Sequence, residues 1–533
     1  MEYALLSFCS GLPHMIIVSQ DKEDVILFRS KIIRDTIMLT VMQLFLDTAA
    51  LLLNVFITKK LGASAIGILT LTGSFLSLAG IISNGNAFLC MSRLVSEEMG
   101  RKGGNPNRIL IHGIRLCLML SITVSAAVFL LADTVSSRFF SGADMASAVR
   151  FMPFALVSGA VSSCFKGYFN AGRKSSVTAA GDILEFIVKS AVIVVFTLAA
   201  DSPSEGVVCK IMIAGIIAGN ISSLIFFLIA FAGNHGSYTG RGTRSFREYA
   251  LFAFPIMGGG VLTALLSSTN DALIPMCLRQ SGNSVSEAFS NFGIFEAIVI
   301  PVLFFPSVVL CSMSGIIVSE TARAAAAGNR ERIKSFSSRL VQWTLMFSVF
   351  ASAVLMRFGR QIGELLGGGD TAGKMITIIA PVVPFIYMEI ILEAMIKGMG
   401  MQAFSSLNYL AEYVIRISIV LVFVPRIGFY GIAASYYASN VIGNCSRFIK
   451  LLRTTGMSFE PFRLIVVPFV YAYMTMCPPQ ILMNFAGISP QNIPEMVIYT
   501  LLWGAGYFAV FTILGRIRIF DKRNSLKIVK NAQ

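Results

Sequence analysis

Two glutamates in long apolar runs are each followed four residues later by a cation: Glu185 by Lys189, and Glu412 by Arg416. On a helix that spacing puts both charges on one face, where they can neutralise each other. Structural neutralisation is therefore the favoured role for both pairs, and a place in a cavity wall is the alternative. Two other carboxylates, Asp47 and Glu296, lie deep in apolar runs with no Lys or Arg within one helical turn. An ionisable side chain at membrane depth is expensive and is a functional candidate on that ground alone. The chemistry open to such a group is uptake and release of a proton or a sodium ion. Asn54, Asn84 and Asn291 occupy the same runs, and with Asp47 and Glu296 they make a candidate polar cavity. Lys166, Arg173 and Lys174 border a short turn that precedes the first paired glutamate, and they form a candidate basic mouth.

Other chemistry is poorly represented. The nine cysteines are scattered without a C-x-x-C, and the three histidines (His14, His112, His235) are not spaced as a metal pair. The cysteines read as small apolar residues, and no zinc or other metal site is expected. No long loop carries a cluster of acid/base carboxylates, which argues against a membrane glycosyltransferase or ligase. No enzymatic activity and no cofactor are expected.

The elements that position these residues come in two copies. Setting Glu185 on Glu412 gives an offset of 412 − 185 = 227, and at that offset Lys189 falls on Arg416, Val195 on Val422 and Phe196 on Phe423. Upstream, Val95-Ser96-Glu97 matches Val318-Ser319-Glu320, and Gly142-Ala143-Asp144 matches Gly368-Gly369-Asp370. A repeat of this length in an apolar chain implies two homologous bundles facing a shared site.

Composition fixes the solvent. Hydrophobic residues make up 55% of the 533 residues and charged residues 13%, against roughly 25% charged in soluble domains; the mean hydropathy is +0.75. The expectation is an all-α integral membrane protein with about fourteen spans. They fall near 35–58, 64–89, 109–131, 150–169, 177–199, 209–232, 249–275, 287–318, 339–356, 375–396, 404–424, 430–451, 464–485 and 496–514. The domain reading is an N-terminal extension (1–30), a six-helix lobe (31–232), a linker (233–247), a second six-helix lobe (248–455), an extra helix pair (456–515) and a basic tail (516–533). The net charge of +15 is concentrated in alternate loops, as the positive-inside rule requires, so it reads as topology rather than nucleic-acid binding. Both termini are expected in the cytoplasm.

Four stretches stand out: Lys166-Gly167-Tyr168-Phe169-Asn170-Ala171-Gly172 leading into Ile183-Leu184-Glu185, Ser92-Arg93-Leu94-Val95-Ser96-Glu97, Phe292-Gly293-Ile294-Phe295-Glu296, and Pro425-Arg426-Ile427-Gly428-Phe429-Tyr430-Gly431. In these the chain resembles the multidrug/oligosaccharidyl-lipid/polysaccharide exporter superfamily, and within it the stage V sporulation protein B group and related lipid II flippases. The resemblance implies two six-helix lobes around a cavity, alternating access, and transfer of an undecaprenyl-pyrophosphate-linked saccharide across the bacterial cytoplasmic membrane. It also implies a groove for the lipid tail on the last two helices. Flippases of that group carry basic residues in the first helix, and this chain has Asp47 and Asn54 at those places. The alternative within the superfamily is a multidrug (MATE-type) antiporter driven by H+ or Na+, which Asp47 favours. The expected partners are a lipid-linked saccharide and membrane lipids, the expected state is a monomer, and coupling to an H+ or Na+ gradient or to membrane potential is the expected energy source.

Overall fold

A computed structural model describes residues 22–99, 104–139, 145–172, 174–200, 205–234, 244–457, 462, 466–485, 490 and 492–530. Every element among them is helical. The first half holds α1 (Lys22–Leu61), α2 (Ala63–Asn84), α3 (Ala87–Met99), α4 (Pro106–Leu130), two short helices α5 (Ala132–Phe139) and α6 (Ala146–Val149), then α7 (Met152–Ala171), α8 (Ser175–Ala199) and α9 (Glu205–Asn234). The second half begins with α10 (Phe246–Gln280) and a broken rod of α11 (Val285–Ile294), α12 (Ile300–Phe304) and α13 (Val308–Ala326). It continues with α14 (Arg330–Leu365), α15 (Gly369–Ile379), α16 (Val383–Gly398), α17 (Gln402–Ile427) and α18 (Phe429–Thr455), and α19 (Val467–Phe485) and α20 (Ile493–Lys530) close the chain.

Among the described residues, 11 helical stretches are long and apolar enough to cross a bilayer. The helices Ser175–Ala199, Phe429–Thr455 and Val467–Phe485 stand outside that group; the first carries Asp182, Glu185 and Lys189 and the second Arg447 among its asparagines. Large apolar side chains stay exposed along the rods, including Phe45 and Leu52 on α1 and Phe129 and Leu130 on α4. In water such a surface would be costly; against lipid tails it is matched.

Helix starts follow ordinary capping chemistry. Asn105 accepts from the Arg108 N–H, with Pro106 just behind it at the first helical position. Ser245 with Glu248, and Ser284 with Glu287, form reciprocal capping boxes at the starts of α10 and α11. These caps satisfy N–H groups that have no partner within the helix.

Four boundaries differ from the expected ones. The first helix begins at Lys22 rather than near 35. The stretch expected to be a basic loop from Met91 is helical to Met99, because Met91, Leu94 and Val95 are apolar at helical spacing and all buried. The expected tail is helical to Lys530. The span expected over 287–318 is interrupted by a π turn at Phe295–Val299 and a 3-10 turn at Phe305–Ser307, where Pro301 and Pro306 remove backbone donors. Residues 1–21 and 235–243, covering most of the expected extension and linker, lie outside the described residues.

In the first half α7 packs among α3, α4 and α9, with α8 on α9; in the second, α16 packs among α13, α14 and α18, and α17 lies between α10 and α18. The α19–α20 pair rests on α14. The halves meet where α2 crosses α11 and α10. Glycine decides the closeness of that crossing. A Cβ at Gly67 would lie 1.9 Å from the Phe289 carbonyl oxygen, and one at Gly293 would lie 2.4 Å from the Gly67 nitrogen. Backbone therefore touches backbone, and this end of the interface is closed. Further along the same face, Ser268 Oγ donates to the Ser74 carbonyl at 2.8 Å and Ser74 Oγ to Asp271 Oδ2 at 2.6 Å.

Candidate functional site

The most polar part of the interior is built around Arg447 of α18, whose side chain is fully buried. Its Nη1 and Nη2 donate to the two oxygens of Glu412 at 2.6 and 2.8 Å, a bidentate pair. Nη2 also donates to Glu389 at 3.2 Å, and Nε lies 3.4 Å from Glu393. Glu393 is shared with Lys397 at 3.1 Å and with the Ser405 hydroxyl. Room for the Glu412 carboxylate comes from Gly443 on α18, where a Cβ would sit 1.5 Å from Glu412 Oε1.

This cage forms one wall of a cavity of about 560 Å³ between α10, the broken rod, α16, α17 and α18. Exposure falls from 41% at the Lys397 side chain to 20% at Glu393 and 7% at Glu412, so Lys397 marks the mouth. Deeper, Arg416 donates from Nε to Ser439 Oγ at 3.1 Å, and its guanidinium stands 4.4 Å from the Tyr436 ring centroid and 5.3 Å from that of Tyr413. At the far wall are Asp271, Asn270 and Glu296. Glu296 belongs to the π turn, which sets its side chain toward the cavity. Pro301 has no N–H to offer Ala297 four residues back, and the Ala297 carbonyl instead accepts from Asn54 Nδ2 of α1 at 3.1 Å.

A smaller cavity of about 170 Å³ lies in the first half, walled by Ser83, Asn84, Ser163, Lys166, Glu185 and Asn220. Lys166 Nζ is 2.6 Å from Asp182 and 2.9 Å from Glu185. Asn84 Oδ1 is taken by the Asn86 N–H at 2.8 Å.

The expected four-residue pairs do not close within their own helices. Glu185 is held by Lys166 of α7 and Glu412 by Arg447 of α18, while Lys189 lies over the Phe186 ring at 5.4 Å and Arg416 over tyrosines. Cations from neighbouring helices take the carboxylates instead, Lys166 at 2.9 Å and Arg447 at 2.6 Å. The repeat carried a sign of this. At the offset of 227, Lys166 falls on Glu393 (393 − 166 = 227) and Asn220 on Arg447 (447 − 220 = 227). The cation that faces the repeated glutamate thus comes from α7 in one half and α18 in the other.

Glu296 and Asn84 line the two cavities, in different halves, whereas Asp47, Asn54 and Asn291 line neither. Asp47 accepts from Gln43 Nε2, one turn back along α1, at 2.9 Å. Lys174 is exposed at the start of α8, and Arg173 is outside the described residues. Residues that sequence reasoning did not place in the site are Asp271, Glu389, Glu393 and Arg447. Arg447 was hidden by its position in a helix rich in Asn, Ser and Gly.

Polar cavities inside each half of an apolar helical bundle, with the halves closed against each other by helix backbones at Gly67 and Gly293, are the architecture of a membrane transporter. The chain belongs to the family described as polysaccharide biosynthesis protein, whose model matches residues 32–314. It is 18% identical over 401 residues to stage V sporulation protein B of Bacillus subtilis (strain 168), covering 73% of this chain and 77% of that protein. Its fold is that of the lipid II flippase MurJ in an inward closed conformation (TM-score 0.64, 14% identity, 91% of this chain and 100% of that one). A multidrug resistance MATE family transporter of the MOP superfamily in an inward-facing conformation is also similar (TM-score 0.58, 14% identity, 78% and 96%). So is a MOP superfamily transporter from Pyrococcus furiosus, described as having a binding pocket of reversed polarity (TM-score 0.57, 15% identity, 80% and 96%).

Proposed function

We propose that the protein is an alternating-access flippase that carries a lipid-linked saccharide, of the undecaprenyl-pyrophosphate type, across the bacterial cytoplasmic membrane. The observation that carries this reading is the 560 Å³ polar cavity, large enough for a sugar headgroup and lined by tyrosines and carboxylates, within a chain of the polysaccharide biosynthesis family. Tyrosine faces and hydrogen-bonding side chains are suited to sugar rings, and nothing in the cavity wall resembles a catalytic constellation. In this reading the Gly67–Gly293 crossing is the outer seal and Lys397 marks the cytoplasmic mouth. The domain scheme, cytoplasmic termini, a monomeric state and coupling to an H+ or Na+ gradient or to membrane potential belong to the same proposal. A cation-coupled multidrug antiporter is the second reading, favoured by Asp271 and Glu296 at the cavity's far wall.

The test is purified protein in liposomes with a fluorescent polyprenyl-diphosphate saccharide in the inner leaflet. Protein-dependent appearance of the saccharide in the outer leaflet is the expected result. No movement of saccharide, with gradient-driven efflux of an organic cation, would replace the flippase by the antiporter.

A further inference from the structure

The far wall of the large cavity is short of hydrogen-bond donors and of positive charge. Five carboxylates line the cavity, Asp271, Glu296, Glu389, Glu393 and Glu412, against two lining cations, Lys397 and Arg416. Three of the five are served by Arg447. Asp271 and Glu296 have no ion-pair partner among the described residues, and the nearest guanidinium, Arg416, is turned onto Tyr436 and Ser439. Beside them Asn270 is only 3% exposed, donates from Nδ2 to Asp271 at 3.3 Å, and leaves its Oδ1 with no hydrogen-bond partner. A buried acceptor left open is destabilising, so this oxygen calls for a donor from outside the chain. A group with several N–H bonds matches this open acceptor and the two carboxylates beside it.

The geometry points to a subsite for a protonated amine on the transported saccharide, held by Asn270 Oδ1, Glu296 and Asp271 while its sugar ring lies against Tyr409 and Tyr413. This rests on the flippase reading and narrows its cargo to an amine-bearing saccharide. An ammonium group supplies three donors and one positive charge to a wall that lacks both, and hydrogen bonds to charged groups are the strong ones. An acetamido group at the same place supplies a single N–H and no charge. A diphosphate would meet carboxylates here, so the lipid-linked end lies away from this wall.

The experiment compares two fluorescent polyprenyl-diphosphate disaccharides, identical except that one carries a free amino group and the other an acetamido group. Both are presented to the full-length protein in liposomes. The expected result is flipping of the amino form faster by about tenfold or more. In Glu296→Gln the ratio of the two rates should fall to within about twofold, and in Glu296→Asp the preference should be largely retained. Should Glu296→Gln fail to fold, inhibition of wild-type flipping by free glucosamine, with none by N-acetylglucosamine at the same concentration, is the expected result. Equal rates and equal inhibition for the two forms would overturn the inference and leave the flippase reading standing. Movement of neither form would remove the flippase reading and this inference with it. Equal rates that depend on Na+ would assign the open acceptors to an inorganic cation and equally overturn the amine.

Discussion

Arg447→Met tests whether burial, rather than the number of ion pairs, decides the weight of the two charge cages. Arg447 is fully buried and faces three carboxylates, the closest of them, Glu412, only 7% exposed. Removing one partner of a buried ion pair costs about 3–5 kcal/mol, because the charges left behind have neither water nor a counter-ion. At about 1.4 kcal/mol per tenfold, the folded-to-unfolded ratio should fall by roughly two to three and a half orders of magnitude. The matching change in the first half, Lys166→Met, breaks pairs whose members are 21%, 41% and 28% exposed. Water can approach those carboxylates, and the cost should stay near 1 kcal/mol or below. The double variant Arg447→Met with Glu412→Gln removes the most buried of the stranded carboxylates and should recover part of the loss, a non-additivity expected of groups in one network. Unfolding in mixed micelles titrated with SDS, followed by tryptophan fluorescence, measures all three. If Arg447→Met proves no less stable than Lys166→Met, the claim that the α16–α18 cage is shielded from water is wrong.

Asn54→Ala should destabilise by about 1–2 kcal/mol by stranding the Ala297 carbonyl, and adding Pro301→Ala, which returns a backbone N–H near that carbonyl, should restore much of the loss in the same titration. Gly67→Val and Gly293→Val should each force α2 from α11; overpacking of this kind costs about 1–3 kcal/mol. Each should slow flipping and raise labelling of Ser267→Cys, in a cysteine-free background, from the side the seal closes; unchanged labelling would count against the seal. Glu296→Gln should make flipping insensitive to an imposed H+ or Na+ gradient with folding intact, whereas Asp47→Asn, outside both cavities, should keep the gradient response and transport at close to the wild-type rate. The reverse order of effects would return Asp47 to the mechanism.

Much of this architecture was legible before any coordinates, because the bilayer leaves the chain few choices. Backbone groups in hydrocarbon must be satisfied within the segment, so apolar runs of span length become helices and the class follows from composition. Glu296 could be singled out because an unpaired carboxylate in such a run is conspicuous. Partner choice was another matter. Glu185 and Glu412 each had a cation four residues on, and local spacing favoured those pairs. The folded chain gave them Lys166 and Arg447, brought from 19 and 35 residues away by neighbouring helices. Asp271 showed the same limit: nothing in its local sequence names a partner, and only the crossing of α2 and α10 brought Ser74 onto it. Helical periodicity fixes which face a residue occupies, but not the rotation and crossing of the helix beside it. Those were set by contacts such as Gly67 on Gly293 and Gly443 beneath Glu412, so the composition of the cavity wall was decided by tertiary packing alone.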